Sequence, residues 1–215
     1  IALVDNLKLF GAKLAEFIDG LDTNPSTDQA FANAEQAVKT LQTAETALEA
    51  AKSSALAQTA SIDEMTRTVA LYAGQARSTR LMLEKLVKTR KETIRIEIVD
   101  GGKKAFAEHC AGLNTRIGKP YLPAVPTDFP GVIKGKKTVS SLKDAVANEL
   151  ARAKIEANSI ADRIQINLAT MRELASAHAF LFSDTAQIVL KANDDLTALV
   201  KMRISDHAKA EADRI

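Results

Sequence analysis

The sequence predicts an all-α protein: a long antiparallel helical hairpin, coiled-coil-like, with further helices after a proline-rich connector. Three observations carry this expectation. Apolar residues recur at three- and four-residue spacing over most of the chain. Aromatics are only 4% of residues and alanine is abundant, which suits closely approaching helix pairs better than a thick core. Four of the five prolines are gathered in one stretch, residues 118–137. Length alone allows one or two domains.

The first element is a helix over residues 2–20, with Leu3, Leu7, Phe10, Leu14, Phe17 and Ile18 on one face, ended by Gly20 and Asn24-Pro25. Ser26, Thr27 and Asp28 form an N-cap cluster for the second helix. Its seam runs Phe31, Ala34, Val38, Leu41, Leu48, Ala55, interrupted by Glu45 and Lys52. Ser61-Ile-Asp-Glu64 reads as a capping box for a third helix carrying Ile62, Met65, Val69, Tyr72, Ala76, Leu83 and Leu86. Over residues 61–98 it would extend ~57 Å, so it is expected to lie antiparallel against residues 28–59 through a tight turn near Ala60.

Residues 93–99, TIRIEIV, fit two readings. Ile94, Ile96 and Ile98 alternate as in a strand, while Ile94 and Ile98 share a helix face. Helix is favoured, because no second segment offers itself as a pairing strand. Asp100-Gly101-Gly102 is expected to end or kink either structure. Helix resumes over 103–117. The stretch GKPYLPAVPTDFPGVIKGKK follows, and so long a break in a compact protein is usually functional or disordered. Ser140 and Ser141 are the expected cap of the next helix, with Leu142, Val146, Leu150, Ala153, Ala157, Ile160, Ile164, Leu168, Met171, Leu174 and His178 on its seam. Ser183-Asp184 reads as a turn and a cap for one last helix through Ile188, Leu196, Val200 and Ile204. The expected organisation is a hairpin region over 1–117, a connector over 118–139 and a C-terminal helical region over 140–215, packed on the hairpin or on a partner copy.

The net charge of +2 hides a strong asymmetry. Residues 1–64 hold 4 Lys/Arg against 10 Asp/Glu, residues 65–143 hold 16 against 6, and residues 144–215 hold 9 against 11. Arg77, Arg80, Glu84, Lys88, Lys91 and Arg95 recur at i+3 or i+4 and so form one basic stripe. Lys134, Lys136 and Lys137 cluster at the end of the connector, which also holds Tyr121 and Phe129. Cations in such rows bind phosphate backbones, and aromatics beside them can stack on unpaired bases. The competing reading is a solvated face, or neutralisation by Glu35, Glu45 and Glu49 of the second helix. Likewise Tyr121 and Phe129 can simply pin the connector to the helices.

Catalytic and metal signatures fail on spacing. GVIKGKKT at 131–138 has its glycines one residue too close for a phosphate loop, and no strand precedes it. His109, His178 and His207 are far apart in sequence, with no ligand-spaced set. Cys110 has no evident base, and being the single cysteine it forms no intrachain disulfide, which fits a reducing cytosol. Asp194-Asp195 reads as a solvated pair. No apolar run approaches the ~18 residues of a membrane span, and the first residues look helical rather than like a signal peptide. The ending HAKAEADRI leaves a helical pattern unfinished, so a longer helix is expected on at least one side.

KTRKETIRIEIVDGGKKAFAEHCAGLNTRIGKPYLP, then DFPGVIKGKKTVSSLKDAVANELARAKIEANSIADRI, preceded by the helix STDQAFANAEQAVKTLQTAETAL, resembles a group of uncharacterised helical proteins of tailed phages and prophages. The resemblance runs from about residue 24 to 211 and rests on pattern and order. It implies genes placed near recombination and replication functions, hence an accessory role in DNA metabolism, and no functional residue is carried over from it. The chain is therefore expected to be a non-enzymatic, cytoplasmic protein without cofactor or metal. Its expected partners are single-stranded DNA, or a phage recombination protein or host protein, through Arg77, Arg80, Lys88, Lys91, Arg95, Tyr121, Lys134, Lys136 and Lys137. A homodimer is expected because thin alanine-rich cores often bury their remaining apolar stripe by association. The alternative is a structural or inhibitory scaffold that binds a protein by its helical faces.

Overall fold

The computed structural model describes residues 2–56 and 62–215. The fold is all-α, with no strand among the described residues. In order come α1 (Ala2–Asp19), α2 (Asp28–Leu56), α3 (Ile62–Ile117), the single turn α4 (Phe129–Val132), α5 (Val139–Ala175), a 3₁₀ segment (Ser176–Leu181), α6 (Thr185–Ile188) and α7 (Asn193–Arg214). None of these helices is long and apolar enough to cross a membrane. The capping box at Ser61 and the turn near Ala60 lie outside the described residues. Contacts divide the chain into two compact units, residues 1–97 with 137–140, and residues 98–136 with 141–215.

The first unit is a three-helix arrangement. The Thr27 hydroxyl accepts the Ala30 N–H at 3.1 Å and so starts α2. Leu41 packs with Ala76, and Leu48 with Val69 and Ala73. Partners on α3 fall as α2 rises, so the hairpin is antiparallel, as its periodicity requires. The third member is α1: Leu14 joins Leu41 and Ala76, and Leu7 and Phe10 reach Leu48 and Val69. A Cβ at Gly11 would stand 2.2 Å from the Tyr72 ring, so glycine there lets α1 sit down over that ring.

The expected break at Gly101-Gly102 does not occur, and residues 93–99 are helical: α3 runs through both glycines to Ile117. Packing explains Gly102, where a Cβ would lie 2.6 Å from Val146 Cγ1 and 3.0 Å from the Phe129 ring. The helix keeps its ladder, and the missing side chain admits a neighbour. Buried positions on α3 run Val69, Ala73, Ala76, Leu83, Val87, Ile94 and then jump by five to Val99. The division between units, at 97/98, falls on that jump.

In the second unit α3 and α5 run parallel. Val99 meets Leu142 and Val146, while Leu113 and Ile117 meet Ala157, Ala161 and Ile164. Parallel neighbours need a return path, and the connector is that path. Tyr121, Leu122 and Val125 pack at the Leu113–Ile117 end, and Phe129 and Ile133 pack at the Val99 end. Covering 18 residues of helix takes about 27 Å of chain. Phe129 is 1% exposed. Asp128 accepts the Gly131 N–H at 2.9 Å to start α4, and Glu149, buried on α5, accepts the Asp128 N–H at 2.9 Å.

Two caps differ from expectation. The start of α5 is held not by Ser140 and Ser141 but by Asp28, whose carboxylate accepts the N–H groups of Val139 and Ser140. The last helix is not continuous from Ser183-Asp184, because α6 stops at Ile188 and α7 starts at Asn193. Between them the fully buried Asn167 amide donates to the carbonyls of Val189 (2.8 Å) and Lys191 (2.9 Å), so those groups need no helical ladder. Asp184 turns its carboxylate to Arg203, in two bonds of 2.7 and 2.8 Å.

Candidate nucleic-acid interface

A side chain on α3 meets α2 if it flanks the buried seam and meets water if it lies further round. The basic stripe straddles that line. Arg80 is on the α2 side: its Nε donates to Glu45 Oε2 at 3.1 Å and its Nη1 to Glu84 Oε1 at 3.0 Å. These carboxylates, Glu84 first and then Glu45, hold the guanidinium above its ordinary value. Lys91 is likewise taken up, by the Glu35 carboxylate, with its ammonium 5.4 Å from the centre of the Phe31 ring. Arg95 is half-buried and engaged within the chain. Arg90, just off the stripe, bonds Glu97 at 3.3 Å. Only Arg77 and Lys88 of the stripe's five cations are fully exposed, with no ion pair among the described residues.

Two of the five cations, Arg80 and Lys91, thus stitch the hairpin, as neutralisation by the acidic second helix would require. Glu35 and Glu45 are the carboxylates used, and Glu49 pairs with Lys52 of its own helix at 4.0 Å. The interruption of the α2 seam by Glu45 is explained in the same stroke, because Glu45 is where Arg80 crosses.

The connector lysines are placed differently. Ile133 and Val139 are both buried, and the lysines lie between them in sequence. The Lys134 N–H donates to the Gly131 carbonyl at 3.0 Å and the Lys136 N–H to the Ile133 carbonyl at 3.1 Å. Gly135 takes φ +78°, the left-handed value a side chain disfavours. The result is a short turn that exposes Lys134 and Lys136, and Lys137 after it is exposed too. Lys134 and Lys137 have no ion pair among the described residues, whereas Lys136 makes an interaction within the chain. Tyr121 is half-buried against the Leu113–Ile117 cluster, where the pinning role needs it.

Folding also gathers groups that spacing in sequence kept apart. The His178 and His207 ring centres lie 6.3 Å apart, with Phe180 5.2 Å from His207. Among the described residues no three His, Cys, Asp or Glu side chains converge as a metal cage. Burial pushes the Cys110 thiol up, away from the reactive thiolate. In the Asp128–Glu149–Arg152 clamp, Glu149 accepts from Arg152 Nε at 2.8 Å, an i,i+3 pair that helical spacing allows, whereas no sequence signal could have found the bond from Arg152 Nη2 to the Pro126 carbonyl at 2.7 Å. Compared with known proteins, the chain matches no family model, no curated protein and no solved structure.

Proposed function

We propose that the chain is a non-enzymatic accessory protein of phage or prophage DNA recombination or replication, and that it binds single-stranded DNA through the lysine turn at 134–137. The observation that carries this reading is that Lys134, Lys136 and Lys137, close together in sequence, are all exposed. Exposed lysines close together in sequence raise the local positive charge, and counterion release on meeting phosphate drives binding. Arg77 and Lys88 add exposed positive charge on α3, while Arg80 and Lys91 belong to the fold. The resemblance to phage and prophage proteins supports the cellular setting.

The test is an electrophoretic shift of labelled single-stranded DNA over a salt series. Affinity should fall steeply with salt. Reversing Lys134, Lys136 and Lys137 to Glu should weaken binding to all sequences alike and lower the slope of log K against log salt by about 2, at roughly 0.7 per lost phosphate contact. No shift at low salt would end this reading. The second reading is a scaffold that binds a phage or host protein by a helical face. Exposed Leu71, Leu81, Met82 and Ile96 on α3 favour it, and co-purification of a protein together with indifference to DNA would select it.

A further inference from the structure

Two of the exposed apolar side chains of α3 within the first unit, Met82 and Ile96, lie on one row. Ser78, Met82, Lys85, Thr89, Glu92 and Ile96 are all exposed and follow one another at intervals of four, three, four, three and four. That is a heptad-spaced row of mixed apolar and polar character, turned away from the seam that meets α1 and α2. Met82 and Ile96 are 53% and 54% exposed. The row's order of character is apolar, positive, small, negative, apolar, and it reads the same from either end once the charges are exchanged.

Its charges are also left over. Glu84 and Glu97 are taken by Arg80 and Arg90, and Lys91 by Glu35. Lys85 and Glu92 have no ion pair among the described residues. They share a face but stand seven residues, about 10 Å, apart along the axis, too far to pair with each other. A second helix running the opposite way would correct this. With a two-fold axis at Thr89, Met82 of one copy faces Ile96 of the other, twice, and Lys85 stands level with Thr93, one residue (about 1.5 Å) from Glu92, an offset its long side chain spans, twice. The small Thr89 side chains sit at the crossing, where close approach is needed.

We propose that α3 is a self-complementary dimer interface, an antiparallel pairing of two copies of this chain about Thr89. A two-fold contact of this kind is isologous and closes on itself. It does not rest on the DNA-binding reading: the lysines at 134–137 that carry that reading take no part in it, although Lys88 adjoins the row.

Sedimentation velocity over a concentration series tests the pairing. The wild type should dimerise, and K85E or E92K alone should weaken the dimer at least tenfold by setting like charges opposite one another. The double variant K85E/E92K should recover most of the loss, since the swapped charges again face each other. I96E should give monomer, while I155E, on the exposed face of α5, should not change association. In a Cys110→Ser background, T89C should cross-link to a covalent dimer under mild oxidation and S78C should not. A wild type that stays monomeric at every concentration overturns the proposal. So does a dimer indifferent to K85E and E92K, or one that the double variant fails to restore.

Discussion

Asn167 shows how one side chain sets a chain reversal. Its amide donates to Val189 and Lys191, and its oxygen accepts from Asn193, whose amide also reaches the Thr170 hydroxyl. Asn167→Ala should lower stability by about 1–3 kcal/mol in thermal or urea unfolding, because buried carbonyls lose their donors. The two adjacent glycines of α3 should respond in opposite directions. Gly101 has open space around it, so Gly101→Ala should stabilise by about 1 kcal/mol. Gly102 faces Val146 and Phe129, so Gly102→Ala should destabilise by about 1–3 kcal/mol in the same assay. Glu149 carries a pH signature. The Arg152 guanidinium, and then the Asp128 N–H, hold its carboxyl at about 2, below the ordinary 4.5. A depressed acid contributes stability above its unfolded-state value and loses it as pH falls. The contribution is whole above pH 4.5 and fades between 4.5 and about 2. Glu149→Gln should therefore flatten the unfolding midpoint against pH in that window. Nothing in the sequence marked Asn167 or the bond from the Asp128 N–H to Glu149, since the partners lie twenty or more residues apart; only the Glu149–Arg152 pair, three apart on one helix, is local.

The elements were legible to unequal depth. Helical periodicity located α1, α2, the seam of α5 and the antiparallel hairpin, because those faces bury apolar residues at regular intervals. It failed where tertiary contacts override local preference: Gly101-Gly102 looked like a terminus, and packing against Val146 and Phe129 makes it mid-helix. It failed again at Val189–Ala192, where a distant amide replaces the helical ladder. The connector reads as a long break because its prolines exclude long helices, with Tyr121 and Phe129 as its candidate pins. Its apolar residues, Leu122, Val125, Phe129 and Ile133, were the sign that it packs. The stripe on α3 was visible as charge, yet sequence could not apportion it between folding and binding. Arg80→Gln should leave single-stranded DNA binding largely intact while lowering the melting midpoint, whereas the lysine-turn reversal should do the converse.

At the scale of the whole molecule, the acidic first third and the basic middle are partly one another's counterparts, through Glu35 with Lys91 and Glu45 with Arg80. Added salt should separate the two uses of charge. Half-exposed pairs contribute little to stability, so circular dichroism should show the helices intact at salt concentrations where DNA binding has collapsed. The cap supplied by Asp28 has a consequence for how the chain is made. Its carboxylate belongs to the opening turn of α2, yet the amides it serves lie 111 and 112 positions downstream. During vectorial synthesis α1, α2 and the first half of α3 emerge long before those amides exist. The amino-terminal helices thus wait, one ligand short, for residues 137–140 to leave the ribosome, and trimming the gene after residue 97 would remove that last piece permanently.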